Sequence, residues 1–489
     1  MPSSATVLND LFAQEPGRVE RWSVEAGGIW FDWSKTHVTE SLLGDGVARL
    51  ERADFDDWRQ RLVRGAIVNE TEGRAAEHLA ERGTGATESV ALARALRGRM
   101  HGLVEAVNAG LLGEIRHIIH VGIGGSGLGP KLLVDALGRD GVRYAVWVVS
   151  NVDGCALKEA FAHCDPHHSL LVVASKTFTT IETMLNAASV LEWMEEAGVD
   201  DPHGRVVAVT ADPDKALEWG VDETRVLPFT ETVGGRYSLW SSIGFPVALA
   251  LGWDAFEQLL DGAAAMDQHF IAADPARNAP VIAALIDRYY VEQAACQTRA
   301  VFAYDERLRF LPAYLQQLEM ESNGKSVDHA GRPLMVPSAP ITWGGVGTDA
   351  QHAVFQLLHQ GRVMVPVEFL AVIEPGHDLD ENHHLQLLSN CLAQASALMT
   401  GRVSDDPARA YAGNRPSVTI LLDRLDPATL GALIAFYEHR TFVNAVLIGN
   451  NPFDQFGVEW GKQLARQIGD GGTGGMDAST VALAKRIGL

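Results

Sequence analysis

Cysteine is scarce in this chain. Only four of its 489 residues are cysteines, none in a Cys-x-x-Cys pair: Cys155, Cys164, Cys296 and Cys391. This pattern indicates neither a zinc site nor a disulfide framework. Reduced thiols in a cytoplasm are the simpler interpretation.

Basic residues are in the minority. The chain has 40 Lys and Arg against 62 Asp and Glu, a formal net charge of -22 at pH 7. Nucleic acids and anionic membranes bind basic faces, so this balance argues against both as partners. It does not exclude an anionic small ligand, because a phosphate needs only a few local donors and cations.

Long hydrophobic runs are absent. No apolar run approaches the ~18 to 20 residues that cross a bilayer. The first residues, MPSSAT, lack a basic region followed by an apolar core. We therefore expect a soluble, unsecreted protein located in the cytoplasm.

What is present is the composition of a folded protein with more than one domain, 47% hydrophobic and 21% charged. From residue 117 onward, short apolar runs alternate with helical periods, which predicts an α/β fold with parallel sheets. We predict a helical N-terminal region at 1–99, α/β domains at 100–250 and 251–450, and a C-terminal helical arm at 451–489. The strand candidates are 117–121, 144–149, 170–174 and 206–209 in the first domain, and 300–303, 363–371, 418–422 and 445–448 in the second.

A glycine-rich segment, VGIGGSGLGP at 121–130, follows the first strand candidate and is expected to open a helix at about Pro130. Gly122, Gly124 and Gly127 satisfy the G-x-G-x-x-G pattern of dinucleotide-binding folds. That match is weak, because the next strand candidate does not end on the acidic residue that would hold a ribose. A loop whose bare backbone approaches a polar ligand, with Ser126 supplying a hydroxyl, fits equally well.

The segment SKTFTT at 175–180 stands between a strand candidate and an amphipathic helix. Thr179 and Glu182 have the spacing of a capping box, which predicts a helix N-terminus beside the hydroxyls. Free N–H groups, hydroxyls and Lys176 would converge where the helix dipole favours an anion. This pattern favours a monophosphate ligand, with a Ser/Thr-rich cap beside a solvated lysine as the alternative.

A helical pattern ends on two carboxylates, Glu319 and Glu321, before the turn signal Asn323-Gly324. A carboxylate in a pocket at such a helix end becomes a usable general acid or base. Gln317 lies four residues before Glu321 and therefore on the same helix face. A solvated helix end is the alternative for this segment.

Other candidates are ordinary when taken singly. Arg236, His352 and Lys462 each have a surface charge or a satisfied polar group as the alternative interpretation. The stretch HDLDENHH at 377–384 is dense in metal-ligand types. Its ligand types are consecutive rather than spaced along a helix, so we predict no metal there.

Together these motifs resemble the phosphoglucose isomerase (glucose-6-phosphate isomerase) family. The resemblance covers about residues 100–468 and depends on several long motifs in the order found in the family. The motifs are Gly122–Ser126, Ser175–Thr180, Gly234–Ser238, Met320–Lys325, Gln351–His352, Tyr437–His439, Phe453–Lys462 and Gly461–Ala465.

The resemblance implies two sugar-isomerase (SIS-type) α/β domains, each a mainly parallel sheet flanked by helices. It also implies a homodimer whose active site draws on both subunits. The implied reaction interconverts glucose 6-phosphate and fructose 6-phosphate in glycolysis and gluconeogenesis, and it requires no cofactor and no metal. Isomerisation of another phosphosugar, such as an amino sugar or mannose phosphate, and non-catalytic sensing of phosphosugars are the alternatives.

The resemblance also implies roles for individual residues. Glu321 would move the proton between C1 and C2, Arg236 would stabilise the cis-enediolate, and Lys462 with His352 of the neighbouring subunit would assist ring opening. The implied substrate-binding residues are Gly125, Ser126, Ser175, Lys176, Thr177, Thr180, Gln317 and Gln455. Departures from the family pattern occur at Glu319, Asp349, Ala350, Phe456 and Trp460, and none of them removes a catalytic side chain.

Overall fold

The structure, a computed structural model, describes residues 7–489; residues 1–6, on which the expectation of an unsecreted chain partly depends, lie outside the described residues. The strands are β1 (Ser23–Ala26), β2 (Ile29–Asp32), β3 (His117–Val121), β4 (Ala145–Val149), β5 (Ser169–Ala174), β6 (Val206–Thr210), β7 (Val226–Pro228), β8 (Thr298–Tyr304), β9 (Ile341–Val346), β10 (Val367–Val372) and β11 (Ser417–Leu422). The α-helices are α1 (Leu8–Gln14), α2 (Arg18–Arg21), α3 (Glu40–Arg52), α4 (Phe55–Val63), α5 (Thr87–Asn108), α6 (Gly125–Leu137), α7 (Gly154–His163), α8 (Ile181–Glu196), α9 (Pro213–Glu218), α10 (Phe245–Leu251), α11 (Trp253–Ala272), α12 (Ala279–Arg288), α13 (Leu311–Leu315), α14 (Gly347–Gln360), α15 (Glu381–Thr400), α16 (Pro427–Ile448), α17 (Glu459–Gly469) and α18 (Ala478–Ile487).

The first sheet has five parallel strands in the order β4-β3-β5-β6-β7. The predicted strands of this sheet are confirmed to within a residue at either end, and only the three-residue β7 was missed. The chain runs from β3 outward to β4 and then returns to the other side of β3. This reversal makes the carboxyl ends of β3 and β5 a topological switch point, where open α/β sheets bind ligands.

The second sheet has six strands in the order β1-β2-β11-β10-β8-β9. Strands β8 to β11 are parallel, as predicted, whereas β1 and β2 form a hairpin that joins β11 antiparallel. The sequence prediction placed no strand in this N-terminal part. The sequence signal for this hairpin that was overlooked is the pair Gly27-Gly28, whose positive φ angles of 61° and 73° suit a two-residue hairpin turn.

The strand predicted at 445–448 is wrong, because those residues end helix α16. Every residue from Thr429 to Ile448 is buried, so this helix has no polar face to give its sequence a helical period. Within residues 7–489, however, no helix is long and apolar enough to cross a membrane. Strand β9 was also missed, since Gly344 and Gly345 weaken its strand signal.

Helix α16 packs closely against α11 in the core. A Cβ on Gly262 would lie 1.8 Å from the carbonyl oxygen of Ala428, and one on Gly431 would lie 2.1 Å from that of Leu259. The two backbones therefore touch where a side chain would separate them. Residues 450–455, which follow α16, therefore begin at the end of a closely packed helix pair.

Candidate active site

The glycine-rich loop after β3 brings the start of α6 against another backbone segment. A Cβ on Gly125 would lie only 2.0 Å from the carbonyl oxygen of Gly235 and 2.6 Å from the amide nitrogen of Arg236. Only glycine permits this approach. The loop after β3 and the segment that carries Arg236 are thus held in direct contact.

The sequence predicted that helix α6 begins at about Pro130, but it begins at Gly125. Pro130 lies inside the helix and has no N–H for the carbonyl of Ser126 four residues earlier. His120 replaces that donor, with its Nε2 2.6 Å from the Ser126 carbonyl oxygen. Burial lowers the pKa of His120 to about 4, so a neutral ring donates this hydrogen bond.

The predicted phosphate loop leads from β5 into α8, and its hydroxyl groups pair with one another. Ser175 Oγ lies 3.0 Å from Thr180 Oγ1, and Thr177 Oγ1 lies 2.9 Å from that of Thr179. The capping-box prediction is wrong: Thr180 is the N-cap residue and no side chain caps the helix, because Thr179 is paired within the loop. Amide groups of the first turn therefore remain uncapped by side chains beside these hydroxyls.

Lys176 turns away from the hydroxyl groups of its own loop. Its Nζ donates to the carbonyl oxygens of Glu231 at 2.6 Å and Val233 at 3.2 Å, directly before the glycine pair that precedes Arg236. Burial lowers the pKa of Lys176 to about 8, and the charge of Arg74 acts in the same direction. The lysine therefore loses its proton close to neutral pH.

Arg236 binds two other predicted site residues, Glu321 and Gln455, through its guanidinium group. Its Nη1 donates to Glu321 Oε1 at 3.2 Å and to Gln455 Oε1 at 3.1 Å, while its Nε donates to Ser322 Oγ at 2.6 Å. The second oxygen of Glu321 accepts a hydrogen bond of 2.8 Å from Gln317. Arg236 is only 3% exposed, so this charge interaction lies in a water-poor environment.

Glu321 ends a π-helical turn, Gln316–Glu321, that continues from α13. Such turns are rare and occur frequently at functional sites. Helical geometry continues to Asn323, so the predicted end of the helix at Asn323-Gly324 is confirmed. A Cβ on Gly124 would lie 2.9 Å from Gln317 Nε2, so the π-helical turn also contacts the loop after β3.

Lys325 and Asp454 form a second ionic contact beside this group, which the sequence analysis missed. Lys325 Nζ donates to the carboxylate and, at 2.7 Å, to the carbonyl of Asp454. The other carboxylate oxygen accepts from Thr71 at 2.7 Å and Asn451 at 3.0 Å. Because the Asp454 carbonyl also accepts from Arg236 at 3.0 Å, this network fixes the turn that carries Gln455. The signal was the position of Lys325 in the same motif as Glu321.

A cleft of about 910 Å³ separates the phosphate loop from the C-terminal arm. Thr177, Thr179 and Thr180 line one side of it, and Lys462 of α17 lines the other. Lys462 is exposed and forms no hydrogen bond with residues 7–489, so its ammonium group is available to a ligand in the cleft.

His352 does not join the group around Arg236. It is exposed on α14 and forms no hydrogen bond with the described part of the chain. Its neighbour Gln351 is held by a hydrogen bond of 2.6 Å from the hydroxyl of Tyr304. One chain therefore assembles Arg236, Glu321 and their partners but leaves His352 facing outward.

The stretch 377–384 uses its histidines in local contacts. His377 Nδ1 lies 3.2 Å from the amide nitrogen of Leu379, and His384 Nε2 lies 2.8 Å from the carbonyl oxygen of Ile373. No group of three or more His, Cys, Asp or Glu residues within residues 7–489 has the geometry to hold a metal ion.

The assembled geometry combines a half-buried carboxylate, a buried guanidinium group and an array of hydroxyls beside a helix N-terminus. A model of the phosphoglucose isomerase family matches residues 32–484. The chain belongs to this family. The resemblance inferred from the motifs is confirmed.

Individual relatives within the phosphoglucose isomerase family cover nearly the whole chain. The glucose-6-phosphate isomerase of Rhizorhabdus wittichii is 66% identical over 482 residues, which are 99% of this chain and 96% of that protein. The enzyme of the same name from Zymomonas mobilis is 59% identical over 467 residues, with coverages of 96% and 92%. The crystal structure of a glucose-6-phosphate isomerase from Chlamydia trachomatis superposes with a TM-score of 0.91 at 30% identity, covering 99% of this chain and 96% of that one. The predicted α/β fold class is thereby confirmed.

Proposed function

We propose that the protein interconverts glucose 6-phosphate and fructose 6-phosphate in the cytoplasm, as a step of glycolysis and gluconeogenesis. The observation that carries this proposal is the contact between Glu321 and Arg236, with Nη1 3.2 Å from Oε1, in a chain of the phosphoglucose isomerase family. Transfer of a proton between neighbouring carbons needs a base and a cation for the charge that develops on oxygen. Glu321 and Arg236 supply these two groups in direct contact with each other.

Glu321 removes the proton from C2 of the open aldose and returns it to C1 of the ketose. A carboxylate can serve both carbons because its hydrogen bonds to Gln317 and Arg236 hold it at one place. Proton removal next to a carbonyl builds negative charge on oxygen, giving a cis-enediolate. The hydroxyl proton moves from O2 to O1 of this intermediate, so that C2 becomes the carbonyl carbon when C1 is protonated. The guanidinium of Arg236 stabilises that charge most effectively because it is buried.

Ring opening precedes this step and requires a proton donor at the ring oxygen and an acceptor for the hydroxyl proton. Lys462 faces the cleft opposite the phosphate loop, which supports a role for this cation beside a bound sugar. His352 comes from a second copy of the chain, since within one chain it faces outward. Gln455, held by Arg236, and the half-buried Gly125 and Ser126 then line the sugar.

The phosphate lies at the start of α8. Ser175, Thr177 and Thr180 supply hydroxyls there, and the uncapped amides and the helix dipole favour a negative charge. Lys176 adds a positive charge to this loop, although its ammonium group is held by the carbonyls of Glu231 and Val233. The phosphate thus anchors one end of the sugar, while Glu321 acts on C1 and C2 at the other end.

A coupled assay tests the proposed reaction. Purified protein is incubated with fructose 6-phosphate, and glucose 6-phosphate is detected through an NADP-dependent dehydrogenase. We expect turnover with this substrate and little with mannose 6-phosphate or glucosamine 6-phosphate. Turnover of only another phosphosugar would identify a different isomerase, and binding without product would identify a sensor.

A shared active site predicts that two inactive variants restore activity when they are mixed. Glu321→Gln and His352→Ala chains should each be nearly inactive, but a mixed dimer has one site with both native residues. Random reassociation of equal amounts should restore about a quarter of wild-type activity. Exposed apolar side chains on α14 and α15, among them Leu357, Leu385 and Leu392, support such an association.

The mixture is assayed after reversible dissociation of the dimers, with each variant treated alone as the control. Failure of the mixture to exceed the variants alone, while native mass spectrometry with one variant isotope-labelled detects the mixed dimer, would indicate a complete site within one chain.

The role of Lys176 predicts a pH dependence. The pKa of Lys176, lowered by burial to about 8, means that the free enzyme loses this positive charge as the pH rises through about 8. A phosphate monoester, with a second pKa of about 6, remains a dianion in this window. We therefore expect kcat/KM for fructose 6-phosphate to fall above pH 8.

Lys176→Met should lower kcat/KM on the order of tenfold at pH 7, the effect of losing one charged hydrogen bond, and should flatten the fall above pH 8. The exposed Lys158 on α7 provides the control, and Lys158→Met should retain the wild-type profile. An unchanged alkaline fall in Lys176→Met would assign it to another group.

A further inference from the structure

Glu319 lies midway between Gln317 and Glu321 in the π-helical turn, and its side chain points away from theirs. Gln317 donates a hydrogen bond to Glu321, and Glu321 also accepts one from Arg236. Glu319 is 8% exposed and bonds through both carboxylate oxygens to Arg299 of β8. Alternate residues of this turn therefore face the site and the interior of the second α/β unit.

We propose that Glu319 is a positioning residue that fixes the carboxylate of Glu321, an inference that rests on the proposed function. Strand β9 holds the turn at two consecutive residues. The Thr342 hydroxyl donates to Glu319 Oε2 at 2.6 Å, and the Thr342 amide lies 3.3 Å from the sulfur of Met320. The backbone entering Glu321 is thus tied to the sheet.

Arg299 is itself held within a buried group of charges. Its Nη1 lies 3.7 Å from Asp287 and 3.9 Å from Glu368. Arg440 of α16 binds the same two carboxylates, at 2.7 and 2.8 Å to Asp287 and 2.6 Å to Glu368. Because Arg299 is also paired with these two buried carboxylates, it resists following Glu319 if the turn shifts, and it holds the turn in place.

The residue that follows Glu321 is anchored as well. Ser322 Oγ accepts from Arg236 Nε at 2.6 Å and lies 2.9 Å from the hydroxyl of Tyr237. Glu321 is therefore fixed on both sides, by Glu319 two residues before it and by Ser322 after it. A π-helical turn has poorer backbone hydrogen bonding than an α-helix and depends more on such side-chain anchors.

The expected signature is a loss of kcat rather than of substrate binding. Glu319→Gln keeps the shape of the side chain but removes the charge that binds Arg299. We expect kcat with fructose 6-phosphate to fall at least about fivefold, toward the ~100-fold that a 1 Å misplacement costs, with KM within about twofold. Glu319→Asp, which restores the charge, should recover most of the lost kcat.

A matched control is available in the other π-helical turn, Tyr289–Gln293. Glu292 in that turn pairs with Arg49 at 2.6 Å and with Arg288 at 3.5 Å, and it contacts none of the site residues. Glu292→Gln should lower the melting temperature while kcat per folded chain stays within about twofold of wild type. Folded chains are counted by calorimetric titration with fructose 6-phosphate.

The inference is overturned if Glu319→Gln retains wild-type kcat per folded chain, or if Glu292→Gln loses kcat to the same extent. If Glu319→Gln does not fold, Thr342→Val tests the same inference, because it removes only one hydrogen bond to Glu319. A kcat at least about twofold lower with unchanged KM supports positioning, and wild-type kcat refutes it. Absence of turnover in the wild-type chain would instead reject the proposed function.

Discussion

Glu321→Gln should fold normally and lose at least about 10²-fold in kcat for fructose 6-phosphate, because positioned acid-base help is typically worth 10² to 10⁴ in rate. The amide has nearly the shape of the carboxylate, and its oxygen can still accept the hydrogen bond from Arg236 Nη1. What it loses is the ability to take a proton from carbon. Turnover is measured by the coupled assay and folding by thermal denaturation.

Deuterium exchange gives a second measurement of the same step. In D2O, the wild-type enzyme should exchange the transferred hydrogen with solvent, and Glu321→Gln should lose this exchange in parallel with turnover. Glu192→Gln, on the exposed side of α8, serves as the matched control and should behave as wild type. Near-normal exchange in Glu321→Gln would remove Glu321 from the role of base.

Arg236→Lys should lower kcat by about 10² to 10³, the usual effect of removing one donor to a developing oxyanion. Lysine keeps the positive charge but not the planar fork of donors. It therefore loses most of the contacts that Arg236 makes with Glu321, Gln455 and Ser322. The loss in kcat should exceed the change in KM, because the charge that Arg236 stabilises appears only during the reaction.

The same substitution should also destabilise the fold. Arg236 Nη2 donates to the buried carbonyl oxygens of Pro452 and Asp454. The Asp454 carbonyl keeps its hydrogen bond from Lys325, but the Pro452 carbonyl loses its partner, which costs about 1 to 3 kcal/mol in the free energy of unfolding. Arg18→Lys is the matched control, because the buried Arg18 donates to the carbonyls of Ser34, Thr36 and Val38 without approaching the site. It should lose comparable stability while keeping kcat, and an equal kcat loss in both variants would contradict a direct role for Arg236.

The sequence was sufficient for those parts of the fold that a local pattern determines. Strands β3 to β6 are apolar runs followed by glycine or hydroxyl residues, and they were predicted nearly to the residue. Helix α16 was not, since a helix buried on all sides has no period to detect. The start of α6 was missed because His120, on another element, supplies the donor that Pro130 lacks.

The candidate site divides in the same way. The motifs identified Gln317, Glu321, Arg236 and Gln455, which the structure brings together, but spacing alone did not indicate that they meet. The orientation of Lys176 toward the carbonyls of Glu231 and Val233 depends on a distant segment and had no local signal. The roles assigned to these residues, the shared site and the domain boundaries remain predictions.

The phosphate loop follows a strand of the first sheet, whereas the turn that ends at Glu321 contacts the second sheet. This separation has a consequence for substrate selectivity. In the proposed reaction, a sugar whose phosphate binds at the end of β5 must reach the π-helical turn, which β9 holds through Thr342, before its reacting carbons meet the base. The packing of one α/β unit against the other thus sets the length of carbon chain that can reach both groups. A shorter phosphosugar would bind at its phosphate yet stop short of the carboxylate.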